Sequence, residues 1–126
     1  MNWYKKAKDG YFPFSLDELW DKILSLKIDT NPPLPKSIGK INDIGIILVD
    51  GDIIKKKYFM DFVEGGNDMA YDFVTKNQIW IDDNMSPKVI PHIIYHEFLE
   101  RFLMKNKGMK YDEAHDIANR YEKKRI

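Results

Sequence analysis

His96, Glu97 and Glu100 crowd into five positions of IIYHEFLERFLMKNKGMKYDEAH, residues 93–115, and His115 closes the same stretch. On a helix, residues four apart project from one face, so His96 and Glu100 present an imidazole and a carboxylate side by side. A divalent ion needs ligands that converge on one point, and such a pair supplies two from a rigid element. Glu97 lies about a third of a turn from His96. It cannot easily share the ion with the pair, but it can reach a water beside it, which is where a general base belongs.

The third ligand follows from turn geometry. The spacing predicts a helix up to about Lys105, a connector of a few residues with Gly108 as the C-cap glycine, and a final helix over Tyr111–Lys124. So short a connector implies an antiparallel αα-hairpin. Its centre falls between Lys107 and Gly108, so Glu100 and His115 stand at equal distances from it and should face each other. His115 also falls within the stripe Tyr111, Ala114, Ala118, Tyr121, the side that must pack, and the alanines allow a close approach. The chain has no cysteine, which excludes disulfides, thiolate sites and a cysteine nucleophile. Two histidines and one carboxylate, with a free position for water, form a known catalytic zinc ligand set.

Plainer readings stay open beside this one. Glu97 and Arg101 could be a surface ion pair at i, i+4, and His115 could be a core histidine whose partner is Glu100. His92 continues the row of His96 and Glu100, but one helical row spans too much length for three ligands to converge. It is expected to lie exposed or in support of the ligands. Glu122 could orient His96 or His92 as a hydrogen-bond acceptor, and Asn119, one turn after His115, could bond there too.

The elements that must position these groups can also be read. Ser15 and Glu18 fit a capping box ahead of an amphipathic helix over residues 16–27. Asn31-Pro32-Pro33-Leu34-Pro35 ends it as an extended connector. Ile44–Val49 reads as a strand, Asp50-Gly51 as a hairpin turn, and Ile53–Phe62 as the return strand. Gly65-Gly66-Asn67-Asp68 reads as a flexible loop. Tyr71–Val74 and Gln78–Ile81 read as two more strands around Lys76-Asn77. Ser86 and Pro87 are expected to open the next helix as N-cap and first residue, with Pro91 still near its first turn. The fold expected is α+β: an N-terminal helix, a small antiparallel β-meander, and a C-terminal antiparallel αα-hairpin that carries the site.

Length bounds the chain to one domain, residues 1–126. Lys+Arg and Asp+Glu both number 20, a balance that gives no support for a nucleic-acid partner. Lys55-Lys56-Lys57 and Lys123-Lys124-Arg125 read as solvated positions. MNWYKKAKDG has no apolar signal core, and no segment is long and apolar enough to span a bilayer. The expectation is a soluble cytoplasmic protein with no membrane partner.

At His96-Glu97-Phe98-Leu99-Glu100 the chain resembles the HExxH zincins, and in size the minigluzincins, very small zinc peptidases with a β-sheet followed by helices. The resemblance implies His96 as a ligand and Glu97 as general base. It also implies that an upstream strand, here Gln78–Asp82, lies beside the cleft and can pair with an extended peptide. The family's second histidine is Glu100 here, and its glutamate on the following helix is matched by His115, so the ligand types are kept as a set but exchanged in place. Ile79–Asp82, His96-Glu97, Glu100-Arg101 and Tyr111–His115 are also similar to small prokaryotic and phage-borne proteins.

These readings lead to a zinc-dependent hydrolase, a peptidase acting on a peptide or protein, with His96, Glu100 and His115 as metal ligands and Glu97 as catalytic base. Tyr95, Tyr111 and Tyr121 are the candidates to support an oxyanion. The rival is a non-catalytic interaction protein in which a metal, or a hydrogen-bonded His/Glu cluster, staples the hairpin.

Overall fold

A computed structural model describes residues 11–58, 62 and 64–125. The N-terminal segment read above as lacking a signal core lies outside them. The described elements are α1 (Leu16–Leu24), β1 (Lys36–Ile41), β2 (Ile44–Val49), α2 (Gly51–Lys57), β3 (Gly65–Asn67), β4 (Gln78–Asp82), α3 (Ile90–Asn106) and α4 (Tyr111–Lys123). The α+β class and the packed C-terminal helix pair hold. No helix among the described residues is long and apolar enough to cross a membrane.

Local rules explain α1 well. Ser15 caps it by accepting from the Glu18 N–H at 3.2 Å, and Leu16, Leu19 and Ile23 are buried at helical spacing. It ends at Leu24, short of the expected 27, because the Ser25 hydroxyl and N–H both turn back to carbonyls of the last turn.

The sheet differs from the expected meander. Its order is β1-β2-β4-β3, and the β2–β4 pair is parallel. A hairpin does precede β2, but it joins β1 to β2 through Asn42 and Asp43, with Asn42 at φ 52°. Asp50-Gly51 is not a hairpin turn. The Asp50 carboxylate accepts from the N–H groups of Asp52 and Ile53 at 3.0 and 3.3 Å, which makes it the N-cap of α2. Ile53 and the residues up to Lys57 are therefore helical rather than a return strand, while 59–61 of that expected strand lie outside the described residues. An aspartate before glycine serves either role, and here the carboxylate's bonds to two N–H groups decide it.

Gly65-Gly66-Asn67, read as a loop, is a buried strand. A Cβ on Gly65 would stand 2.9 Å from the Trp80 carbonyl oxygen and 3.1 Å from the Ile93 side chain. The strand is squeezed between its neighbour and α3, and only glycine fits there. Tyr71–Val74, read as a strand, is instead a run of turns in which Tyr71 N–H donates to the Asn67 carbonyl and Val74 N–H to that of Tyr71. Its rings pack into an aromatic group in which Phe73 lies 6.0 Å from Trp80 and Tyr71 5.1 Å from Phe73.

Alternation along the strands separates two layers. Ile46, Leu48, Ile79 and Ile81 face the main core with α1, α3 and α4. Val49, with Ile54 and Phe62, forms a second apolar cluster with Ile47, Tyr71, Phe73 and Trp80 around it. Within the main core α3 is buried from Ile90 to Leu103 on nearly every side. That explains its lack of a polar face, and it means that any charge on it must find a partner.

Regular helix begins at Ile90 rather than at Pro87. Ser86 does organise the approach, since its carbonyl accepts from Val89 and Ile90. Pro91 has no N–H to donate to residue 87 and its ring would press on that carbonyl, so residues 87–89 remain a turn. At the other end Gly108 takes φ 66°, and the Met109 N–H returns to the Leu103 carbonyl. That reversal sends α4 back along α3.

Candidate metal centre

The helix pair runs antiparallel, as its side-chain partners show: His96 meets Glu122 and, one turn later on α3, Glu100 meets His115. Three predicted ligand atoms converge. His96 Nε2 lies 3.0 Å from Glu100 Oε2 and 3.2 Å from His115 Nδ1, and His115 Nδ1 lies 2.9 Å from Glu100 Oε2. Ligands at zinc's usual bond lengths in a tetrahedron stand about 3.3 Å apart. The triangle is close to one face of that tetrahedron, and these three residues form the group able to hold an ion among the described residues.

Hydrogen-bond accounting points the same way. His96 Nδ1 is 3.0 Å from Glu122 Oε1, so the natural neutral tautomer donates there and leaves a lone pair on Nε2. That lone pair then faces the Glu100 carboxylate and His115 Nδ1. The three atoms in mutual contact need either a hydrogen or a metal ion among them, and a ring N–H of either histidine can supply the hydrogen. Burial alone would lower the His96 pKa, but the carboxylates of Glu100, Glu122 and Glu97 raise it to about 10. Without a metal, His96 at that value supplies the hydrogen as imidazolium.

Glu97 is buried beside the triangle without belonging to it. Its Oε1 accepts from Asn67 Nδ2 at 3.0 Å, and the same nitrogen lies 3.1 Å from Glu100 Oε1. Burial, then the Glu100 charge, push the Glu97 carboxyl up to about 8. Asn67, fully buried on β3, escaped the sequence reading because it sits in what looks like a glycine loop. No local pattern marks it, since its partners are 30 and 33 residues away.

Arg101 was weighed as a surface partner of Glu97. It is buried and binds Asp68 through Nε and Nη2, while Nη2 also donates to Asn77 Oδ1 at 2.9 Å. The Asp68 Oδ2 accepts from the Asn77 N–H at 2.9 Å. Burial by itself would raise the Asp68 carboxyl, but these donors hold it below its ordinary value. A carboxyl with a depressed folded pKa adds stability above its unfolded value and loses it as pH falls through the folded one. Asp68→Asn is therefore expected to be less stable than wild type at pH 7. In urea melts the gap should shrink once the pH drops below the ordinary carboxyl value of 3.8. A gap that stays constant would show that the charge is not what counts.

The other candidates separate cleanly. Glu122 orients His96, not His92. His92 turns toward α1, with its ring 4.9 Å from Trp20, and takes no part in the triangle. Tyr95 is buried against Trp20, and Tyr121 packs edge-on to Phe12. Of the three tyrosines only Tyr111 reaches the site, stacked on the His115 ring with its hydroxyl 3.4 Å from Nδ1. Burial and the Glu100 charge push Tyr111 up to about 12, so its hydroxyl stays a donor.

The triangle opens on a cavity of about 380 Å³ whose wall also carries Glu97, Tyr111, Asn119, Glu122 and, from the β3 side, Glu64 and Tyr71. A larger cavity of about 480 Å³ lies by the other face of the sheet, walled by Ile47, Val49, Ile54 and Trp80. Its wall is mostly apolar and also carries Asp50, Lys57 and Tyr58, whereas the histidine and glutamate cluster lies at the smaller one. The strand beside that cavity is β3. The resemblance to zincins implied that Gln78–Asp82 could pair with a peptide, but β4 is flanked by β2 and β3 and both of its edges are taken. Among the described residues the edge strand on this side of the sheet is β3, and β1 is the edge on the other side.

No family model, curated protein or solved structure matches the chain. The functional reading therefore rests on the residues and their geometry.

Proposed function

We propose that the protein is a divalent-metal-dependent hydrolase acting on peptide bonds, with the ion held by His96 Nε2, Glu100 Oε2 and His115 Nδ1. The observation that carries the reading is the triangle of ligand atoms at 2.9, 3.0 and 3.2 Å from one another. Zinc suits the site best, because two of three ligands are imidazoles and the set is small. When bound, such an ion supplies Lewis acidity at a carbonyl group and makes a neighbouring water easier to ionise.

The chain's own residues fill the remaining roles. Glu97 takes the proton of the attacking water, and Asn67 holds it in place while it does so. Glu122 fixes His96 in the tautomer that leaves Nε2 free. The Tyr111 hydroxyl, at the cavity wall, is the group placed to donate to the oxygen on which charge develops.

Charge selects the substrate class. Glu64, Glu97, Glu100 and Glu122 line the cavity, and among the described residues no lysine or arginine does. Such a wall disfavours phosphate esters and tolerates a neutral amide. Openness favours catalysis over a structural staple. Structural zinc sites are closed by four protein ligands, whereas this group offers three among the described residues and faces a cavity.

The test is a peptide library offered to zinc-loaded protein. Cleavage that stops on chelation and returns with zinc is expected. Cleavage indifferent to chelator, or hydrolysis of phosphate esters in place of peptides, would overturn the proposal.

A further inference from the structure

We infer that Asn67 is a positioning residue that divides the work between two neighbouring carboxylates, an inference that rests on the metal-dependent reading of this site. Glu97 and Glu100 are three apart on α3, chemically alike, and both buried beside the same centre. Something must make one of them a ligand through a single oxygen and hold the other back as a base. Asn67 reaches both. Its Nδ2 lies 3.0 Å from Glu97 Oε1 and 3.1 Å from Glu100 Oε1, so each of its two N–H bonds serves one carboxylate.

The amide cannot turn round. Its Oδ1 accepts from the N–H groups of Met69 and Ala70 at 3.0 and 3.1 Å, which obliges the NH₂ end to face the acids. The next residue, Asp68, is clamped by Arg101 and Asn77, so the strand end is held as well. One oxygen of Glu100 is thereby withheld, and Oε2 alone enters the triangle. Glu97 is likewise tied through Oε1 to the same Asn67 nitrogen on β3. A carboxylate free of such a tie can bind an ion through both oxygens, and an untied Glu97 could swing in as a further ligand. Either change would fill the coordination position that a substrate needs.

Cobalt(II) reports coordination number directly, because its visible absorption is several-fold stronger when four-coordinate than when five- or six-coordinate. Wild type loaded with cobalt is expected to give the strong four-coordinate spectrum. Asn67→Ala should keep about one cobalt per chain but lose several-fold in intensity. Asn67→Ser guards against a simple folding defect, since its hydroxyl can still accept from the Met69 and Ala70 N–H groups but is too short to donate to the acids and adds no charge. It should show the same weakening. Wild type that takes up no cobalt overturns the metal reading and this inference together. Wild type with the strong spectrum, and variants that match it or that fold without binding cobalt, overturn this inference alone.

Discussion

Glu97→Gln is expected to leave zinc content unchanged and to lower metal-dependent peptide hydrolysis by about 10²–10⁴-fold, the usual contribution of a positioned general base. The substitution is nearly isosteric. Its amide oxygen can still accept from Asn67 Nδ2, the bond that now holds Glu97 Oε1 at 3.0 Å. The triangle of His96, Glu100 and His115 does not include Glu97, so the ligand set is untouched. What disappears is the capacity to take a proton. The effect should therefore fall on kcat with the melt and the zinc stoichiometry preserved. Equal rates for wild type and variant would place the activity elsewhere.

His115→Ala should lower stability far more with zinc than with chelator. His115 is the one ligand of the three on α4, so an ion bound there ties two helices that are otherwise joined by a short turn. A ligand that binds only the folded state adds about 2.7 kcal/mol at one hundred times its Kd. For a chain of this length that is roughly 10 °C of Tm. Wild type should show a rise of that order on adding zinc, and the variant should lose most of it. In chelator the same change removes little. The His115 side chain is 38% exposed, and Glu100 keeps both His96 and Asn67 as partners. The cost there should be about 1 kcal/mol, that of one hydrogen bond. If His115 merely completes a hydrogen-bonded cluster, the two buffers will give the same loss.

The parts of this structure that the sequence disclosed are those governed by short-range rules. Ser15 and Glu18 mark the start of α1 because a cap and its partner are three residues apart. The triangle was legible for the same reason: helical spacing joins His96 to Glu100, and a tight turn at Gly108 joins Glu100 to His115. The parts that stayed hidden depend on distant contacts or on ambiguous signals. Parallel pairing of β2 with β4 brings together residues about thirty apart, and no turn announces it. Gly65 and Gly66 carry no side chains, so the alternation that identifies a strand is missing where β3 runs. Asp50-Gly51 fits a hairpin and a helix start equally well, and only the positions of the Asp52 and Ile53 N–H groups separate them. Arg101 looked like a surface partner of Glu97 because an all-round apolar helix gives no clue to its wet side. In the fold it has none at that position, and Arg101 turns to Asp68 on the β3 side.

Everything proposed for catalysis depends on an ion at the triangle, and diffraction from zinc-loaded crystals at the zinc absorption edge would locate it. One anomalous peak per chain is expected, about 2.0–2.2 Å from His96 Nε2, Glu100 Oε2 and His115 Nδ1. A triangle with no peak, or zinc found only elsewhere on the chain, would mean that His96 holds the centre together as an imidazolium between its carboxylates, and would contradict the account.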